Sequence, residues 1–198
     1  MEFLLPLLIF VFVSTITPGP NNFLLATSGI KFGVRATIPH VIGIHFGLYL
    51  MIVLCGLGLG QILNQLPEAM VALKVFGTIY LCYLAWKILG FKFTGQETQA
   101  DGKPMSMSEA LVFQFSNPKA WMMATTGLNL SLGFDDSVVT VIVAFCAGFA
   151  TLGLGCNLVW LCAGASLRRF WMQEQYQRFI NGCLALLTLL AIGTFWYL

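Results

Sequence analysis

The residues of this 198-residue chain with the types and spacing to do chemistry stand in two short polar interruptions of apolar sequence. One is Thr17-Pro18-Gly19-Pro20-Asn21-Asn22, the other Asn117-Pro118-Lys119. Proline has no amide hydrogen and its ring clashes with the preceding turn, so a helix stops at each. Gly19 adds backbone freedom. Pro20 and Pro118 suit the first position of a restarted helix, and Asn117 suits the N-cap before it. A restarted half-helix presents unpaired N–H groups and partial positive charge, which can hold a carboxylate. Freed carbonyls and the side chains of Asn21, Asn22 and Asn117 can hold an ammonium or a hydroxyl. A dry pocket with both features suits a small zwitterion, an amino acid. The plainer alternative is a pair of kinks that only shape packing.

Lys119 is basic and deep, about eleven residues or 16 Å from the end of its span. Charged, it costs about 2.5–3.5 kcal/mol at mid-bilayer on insertion scales. No carboxylate lies at that depth, so the sequence shows no protein partner for it. It is expected to line a cytoplasm-facing cavity, pair with the substrate carboxylate, and release a proton when substrate leaves. His45 is the other proton-coupling candidate, whereas His40 is expected at the interface. Five residues apart, the two rings point about 140° apart on a helix and cannot share a metal. Asn157 lies about 16 Å deep and is a further candidate for the site, or a helix–helix hydrogen bond. The six cysteines, at 55, 82, 146, 156, 162 and 183, form no CxxC and read as small apolar core residues. No acidic residue is mid-span, so no metal site is expected. No cofactor or nucleotide motif occurs, and nothing indicates an enzyme.

The elements that position these residues follow from composition. Apolar residues make up 58% of the chain and charged residues 9%, with mean hydropathy +0.84. That excludes a soluble globular domain, a disordered chain and a nucleic-acid binder. The apolar runs are continuous rather than alternating, which excludes a transmembrane β-barrel. The expectation is an all-α integral membrane protein with six transmembrane helices, at about 3–28, 38–62, 67–89, 108–132, 137–165 and 178–198. The first span begins Met1-Glu2 without a basic n-region, unlike a cleaved signal peptide. Lys31, Arg35, Lys87, Lys92, Lys103, Arg168, Arg169 and Arg178 fall in alternate loops, whereas Asp135 and Asp136 occupy one of the others. This charge bias places both termini outside the inner membrane.

Three spans on each side of a cytoplasmic connector at 90–107 make a single transporter domain over 1–198, with inverted repeats at about 1–89 and 108–198. Pro18 and Pro118 are 100 residues apart and break helices 1 and 4 at the same expected depth, near the midplane. Breaks in corresponding spans of two halves point to a transporter's binding site. Gly43-x-x-x-Gly47, Gly56-x-x-x-Gly60 and Ala144-x-x-x-Gly148 read as close helix contacts, within the chain or in a homodimer. Glu109 is placed to cap the start of span 4.

TPGPNN near the N-terminus, YLCYLAWKI in span 3, FSNPKA in span 4 and GCNLVW in span 5 resemble the LysE/RhtB family of amino-acid exporters over nearly the whole chain. TPGPNN, AWKI and the N-x-x-W-x-x-A-G run at 157–164 are most similar to its cysteine/O-acetylserine branch. The resemblance implies secondary, proton-coupled export of small neutral amino acids or derivatives, of cysteine/O-acetylserine or homoserine/threonine type. It carries over Thr17, Pro18, Gly19, Pro20, Asn117, Pro118, Lys119 and Asn157 as site residues. The competing readings are a membrane thiol–electron carrier, a metal-ion exporter and a non-transporting assembly protein.

Overall fold

The computed structural model describes residues 2–90, 103–132, 137–171 and 173–197. Among these residues the chain is helical, with no strand. In order, α1 is Leu4–Ile16, α2 Pro20–Leu54, α3 Gly60–Gln65, α4 Pro67–Leu89, α5 Met107–Phe115, α6 Pro118–Leu132, α7 Val138–Gly148, α8 Leu154–Trp171 and α9 Glu174–Tyr197. Two π-helical segments, Cys55–Leu59 and Phe149–Gly153, join α2 to α3 and α7 to α8. The expected connector lies outside the described residues over 91–102, as do Asp135 and Asp136.

A loop expected between spans 1 and 2 shrinks to one residue. The helix is interrupted at Gly33, which has φ 80 and ψ 176, a left-handed setting that suits glycine. The Ser28 and Thr37 hydroxyls are 2.8 Å apart. Nine residues of straight helix would separate them by about 13 Å, so the chain folds back at Gly33. The arms 20–32 and 34–54 therefore lie side by side. Pro20–Leu59 as a whole is long and apolar enough to cross a membrane. The segment Val138–Phe170 is also long and apolar enough to cross a membrane.

Both arms of α2 pack against α8, and the second also packs against α5. Glycine makes these contacts close. A Cβ on Gly29 would strike the Leu161 carbonyl, one on Gly164 the Ala26 carbonyl, and one on Gly43 the Met107 carbonyl. A Cβ on Gly47 would lie 2.6 Å from Gln114 Cγ. Gly56 is similarly filled by Ile142. The small-residue motifs of span 2 are thus used inside the chain, because backbones approach this closely only where no side chain intervenes. At the start of α5, Ser106 and Glu109 form a reciprocal capping box, with Ser106 N donating to Glu109 Oε2 at 2.8 Å.

The main apolar core gathers Leu7 and Val11 of α1, Met51 of α2, Trp121 of α6 and Phe145 of α7. Outward lie large apolar side chains such as Leu5 at 68% exposure, Phe76 at 67%, Trp86 at 71% and Phe179 at 72%. A surface of that kind suits hydrocarbon rather than water. Cys55 and Cys156 are buried, but Cys82, Cys162 and Cys183 are exposed, which corrects the expectation that all six are core residues. A thiol is apolar enough to face the same hydrocarbon.

Candidate functional site between two broken helices

Span 1 breaks over residues 17–19 and span 4 over 116–117. Each break ends one helix and starts another at a proline, Pro20 in α2 and Pro118 in α6. A helix end leaves its last carbonyls unpaired, and in a dry interior each needs a donor.

At the end of α1 every such carbonyl has one. Thr17 N donates to Val13 O at 3.2 Å, and Thr17 Oγ1 to Ser14 O at 3.1 Å. Asn22 Nδ2 donates to Thr15 O at 2.7 Å and Thr17 O at 2.8 Å. Trp160 Nε1, from α8, donates to Ile16 O at 3.0 Å. Lys119 Nζ donates to Thr17 O and Thr17 Oγ1, each at 3.0 Å, and to Pro18 O at 3.1 Å. The expectation that Lys119 has no protein partner is therefore corrected. Its ammonium sits on the negative end of the α1 dipole, bound to backbone carbonyls rather than to a carboxylate. Gly19 makes room for it: a Cβ there would lie 2.9 Å from Lys119 Cδ and 3.0 Å from Nζ.

The second break is closed similarly. Trp121 Nε1 donates to Phe115 O at 2.9 Å, and Lys119 N to the Asn117 Oδ1 cap at 3.1 Å. Asn21 and Gln114 pair their amides reciprocally, at 3.0 and 3.1 Å, and Asn117 Nδ2 donates to Asn21 Oδ1 at 3.4 Å. These bonds tie the two breaks to each other.

Between the breaks lies a cavity of about 30 Å³, lined by Thr15, Gly19, Pro20, Asn21, Asn22, Asn117, Lys119 and Asn157, among others. That is room for about two water molecules, less than an amino acid needs. Thr17 and Pro18 lie outside its lining, exposed, and Pro118 is buried in the wall at the start of α6. Asn157 Nδ2 donates to His45 Nε2 at 3.2 Å. The other ring nitrogen of His45 is 3.3 Å from the Tyr49 hydroxyl, making a chain from the cavity wall into α2. His40, expected at the interface, is instead 1% exposed, and neither ring nitrogen has a partner. Helix packing around α2 covers it.

Beyond Ser14, Lys119 and Met123, which line both spaces, an apolar groove of about 870 Å³ runs between α1 and α6, past Phe10, Val13 and Met122. It follows the halves of spans 1 and 4 remote from the basic loops. Lys119 thus borders that side as well as the cavity.

Sequence reasoning missed Gln114, Thr15, Tyr49 and Trp160. Gln114 left a signal, a polar residue three before Asn117 inside an apolar run. Trp160 stood in the N-x-x-W run at 157–164, but its role lies in a partner far away in sequence, as does that of Tyr49 through His45 and Asn157.

A family model described as LysE type translocator matches residues 12–196. The cysteine/O-acetylserine efflux protein of Escherichia coli (strain K12) is 30% identical over 182 residues, 90% of this chain and 89% of that relative. The proteins of that name from Shigella flexneri serotype 5b (strain 8401) and Shigella sonnei (strain Ss046) match with the same identity and coverage. No solved structure matches. A family match over nearly the full length, on a chain whose described residues are helical with an apolar exterior, has one meaning: this chain belongs to the LysE family of membrane translocators.

Proposed function

We propose that this chain is a secondary exporter of small neutral amino acids or their derivatives, of the cysteine/O-acetylserine or homoserine/threonine type. Export crosses the inner membrane and draws on the proton gradient. The observation that carries this reading is the asparagine- and lysine-bearing cavity at the meeting of two proline-broken helices, bonded to each other through Asn21, Gln114 and Asn117. Discontinuous helices at mid-membrane are where transporters hold small charged substrates. The relatives' names support the same substrate class.

The site comprises the Thr17–Asn22 and Asn117–Lys119 breaks with Asn157. Lys119 and His45 are the groups positioned to pass a proton, Lys119 on the cavity wall and His45 through Asn157 and Tyr49. The halves 1–89 and 108–198 are read as inverted repeats, with both termini outside. Supporting this are the matched breaks, the π-helical segment in the second span of each half, and the packing of α4 along α9, the third span of each. No cysteine lines the cavity among the described residues, which favours an amino-acid carrier over a thiol–electron carrier. A second copy of the chain is the remaining proposed partner.

The test is efflux from cells loaded with a panel of neutral amino acids. Expression should accelerate loss of one or more, and an uncoupler should slow it. Equal efflux with and without the protein across the panel would refute the reading.

A further inference from the structure

Two helix N-termini meet at the cavity, and either could receive a carboxylate by charge alone. Their hydrogen bonding differs. The α6 terminus is already occupied, since Asn117 Oδ1 accepts from Lys119 N at 3.1 Å. The α2 terminus has Gly19 as its N-cap and no side-chain cap. Its first backbone bond runs from Phe23 N to Gly19 O at 3.1 Å, which leaves the amides of Asn21 and Asn22 ahead of it.

A second observation falls on the same cavity. Thr15 lines the cavity, is 7% exposed, and its hydroxyl has no partner. Other helical hydroxyls of the chain turn back on the carbonyl four residues earlier: Thr125 on Trp121 at 2.9 Å, Ser131 on Gly127 at 2.8 Å, Thr151 on Ala147 at 2.9 Å. Thr15 does not, so its donor stays free in a buried place where polar groups are normally paired. The competing donors are engaged. Asn21, Gln114 and Asn117 bond one another, Asn22 holds α1 carbonyls, and Lys119 holds Thr17 and Pro18. The cavity of about 30 Å³ takes two water-sized atoms, the number of oxygens in a carboxylate.

We infer that the substrate carboxylate binds at the N-terminus of α2, through the main-chain amides of Asn21 and Asn22 and the hydroxyl of Thr15, and not at α6 or on Lys119. This rests on the amino-acid exporter reading and assigns one pole of its substrate. The ammonium pole and side chain then extend away from α2, which the site must widen to admit.

The test uses the full chain in proteoliposomes, with L-cysteine and L-threonine as substrates and their carboxamides as competitors. Thr15→Val keeps the shape and removes the hydroxyl. It should lower the preference for acid over amide about tenfold, the effect of losing a hydrogen bond to a charged group. Its melting temperature without substrate should be unchanged or higher, because an unpaired buried hydroxyl is gone. Thr15→Ser should keep the wild-type preference. An unchanged preference in Thr15→Val would overturn the assignment. Equal loss in Thr15→Ser would overturn it too, by showing that only packing mattered. A Thr15→Val protein that fails to accumulate would also overturn it, since the hydroxyl would then have a structural partner. A wild-type protein that moves neither amino acid nor any other of the neutral panel would instead remove the exporter reading itself.

Discussion

Gly19 and Lys119 should be energetically coupled, although they are a hundred residues apart. Gly19 has φ −174 and ψ 174, an extended conformation that any residue adopts, so Gly19→Ala strains no backbone. Its cost has two parts. Alanine is a poor N-cap, worth about 1 kcal/mol against the better residues and somewhat less against glycine. In addition, the new Cβ would lie 2.9 Å from Lys119 Cδ and 3.0 Å from Nζ, so the lysine must move. Moving it weakens three bonds from an ammonium to the end of α1, at 3.0, 3.0 and 3.1 Å. Hydrogen bonds to charged groups and a helix C-terminal charge together make the full set worth about 2–3 kcal/mol. Lys119→Ala should lose that amount. Gly19→Ala should cost about 2 kcal/mol in the wild type, but only the N-cap share, about 1 kcal/mol or less, once Lys119 is alanine. The readout is a double-mutant cycle on reversible unfolding in mixed micelles, followed by far-ultraviolet circular dichroism. The expected coupling is about 1–2 kcal/mol. Additivity within about 0.5 kcal/mol would refute the claim that Gly19 exists to admit the lysine.

Replacing Pro18 and Pro20 together by alanine should heal the first break, raising local helix propensity by a few kcal/mol in all, while abolishing export at normal membrane levels; sustained export would remove the half-helix site. Gly164→Val places a branched side chain against the Ala26 backbone and should cost more than about 3 kcal/mol, seen as loss of folded protein after detergent extraction. Trp160→Phe leaves the Ile16 carbonyl without its 3.0 Å donor and should cost about 1–3 kcal/mol in the same unfolding assay, whereas no change would mean the carbonyl has another partner. A reporter active only outside the inner membrane should work when fused after Leu198 and stay silent when inserted near Gln99; activity at position 99 would overturn the orientation and the inverted halves together.

What the sequence determined by itself are the properties that belong to one residue or to its near neighbours. The scarcity of charge selects a lipid-facing helical chain, because hydrophobic burial is roughly additive over residues. Pro18, Pro20 and Pro118 break their helices because a missing N–H and a clashing ring act within one turn. The Ser106–Glu109 capping box is local for the same reason. The positions of both breaks were therefore legible before any coordinates. The turn between spans 1 and 2 was only half legible: the basic residues marked its level, but whether it takes nine residues or one depends on Gly33 reaching φ 80 while both arms pack on α8. Tertiary structure alone decided which polar groups are used. Lys119 meets Thr17 across 102 residues, Trp160 meets Ile16 across 144, and Asn157 meets His45 across 112. Such pairings depend on how whole helices cross, and a one-turn slip would exchange every partner. The same pairings leave Thr15 and the α2 amides without partners. A buried donor is known to be free only after all its possible acceptors have been placed.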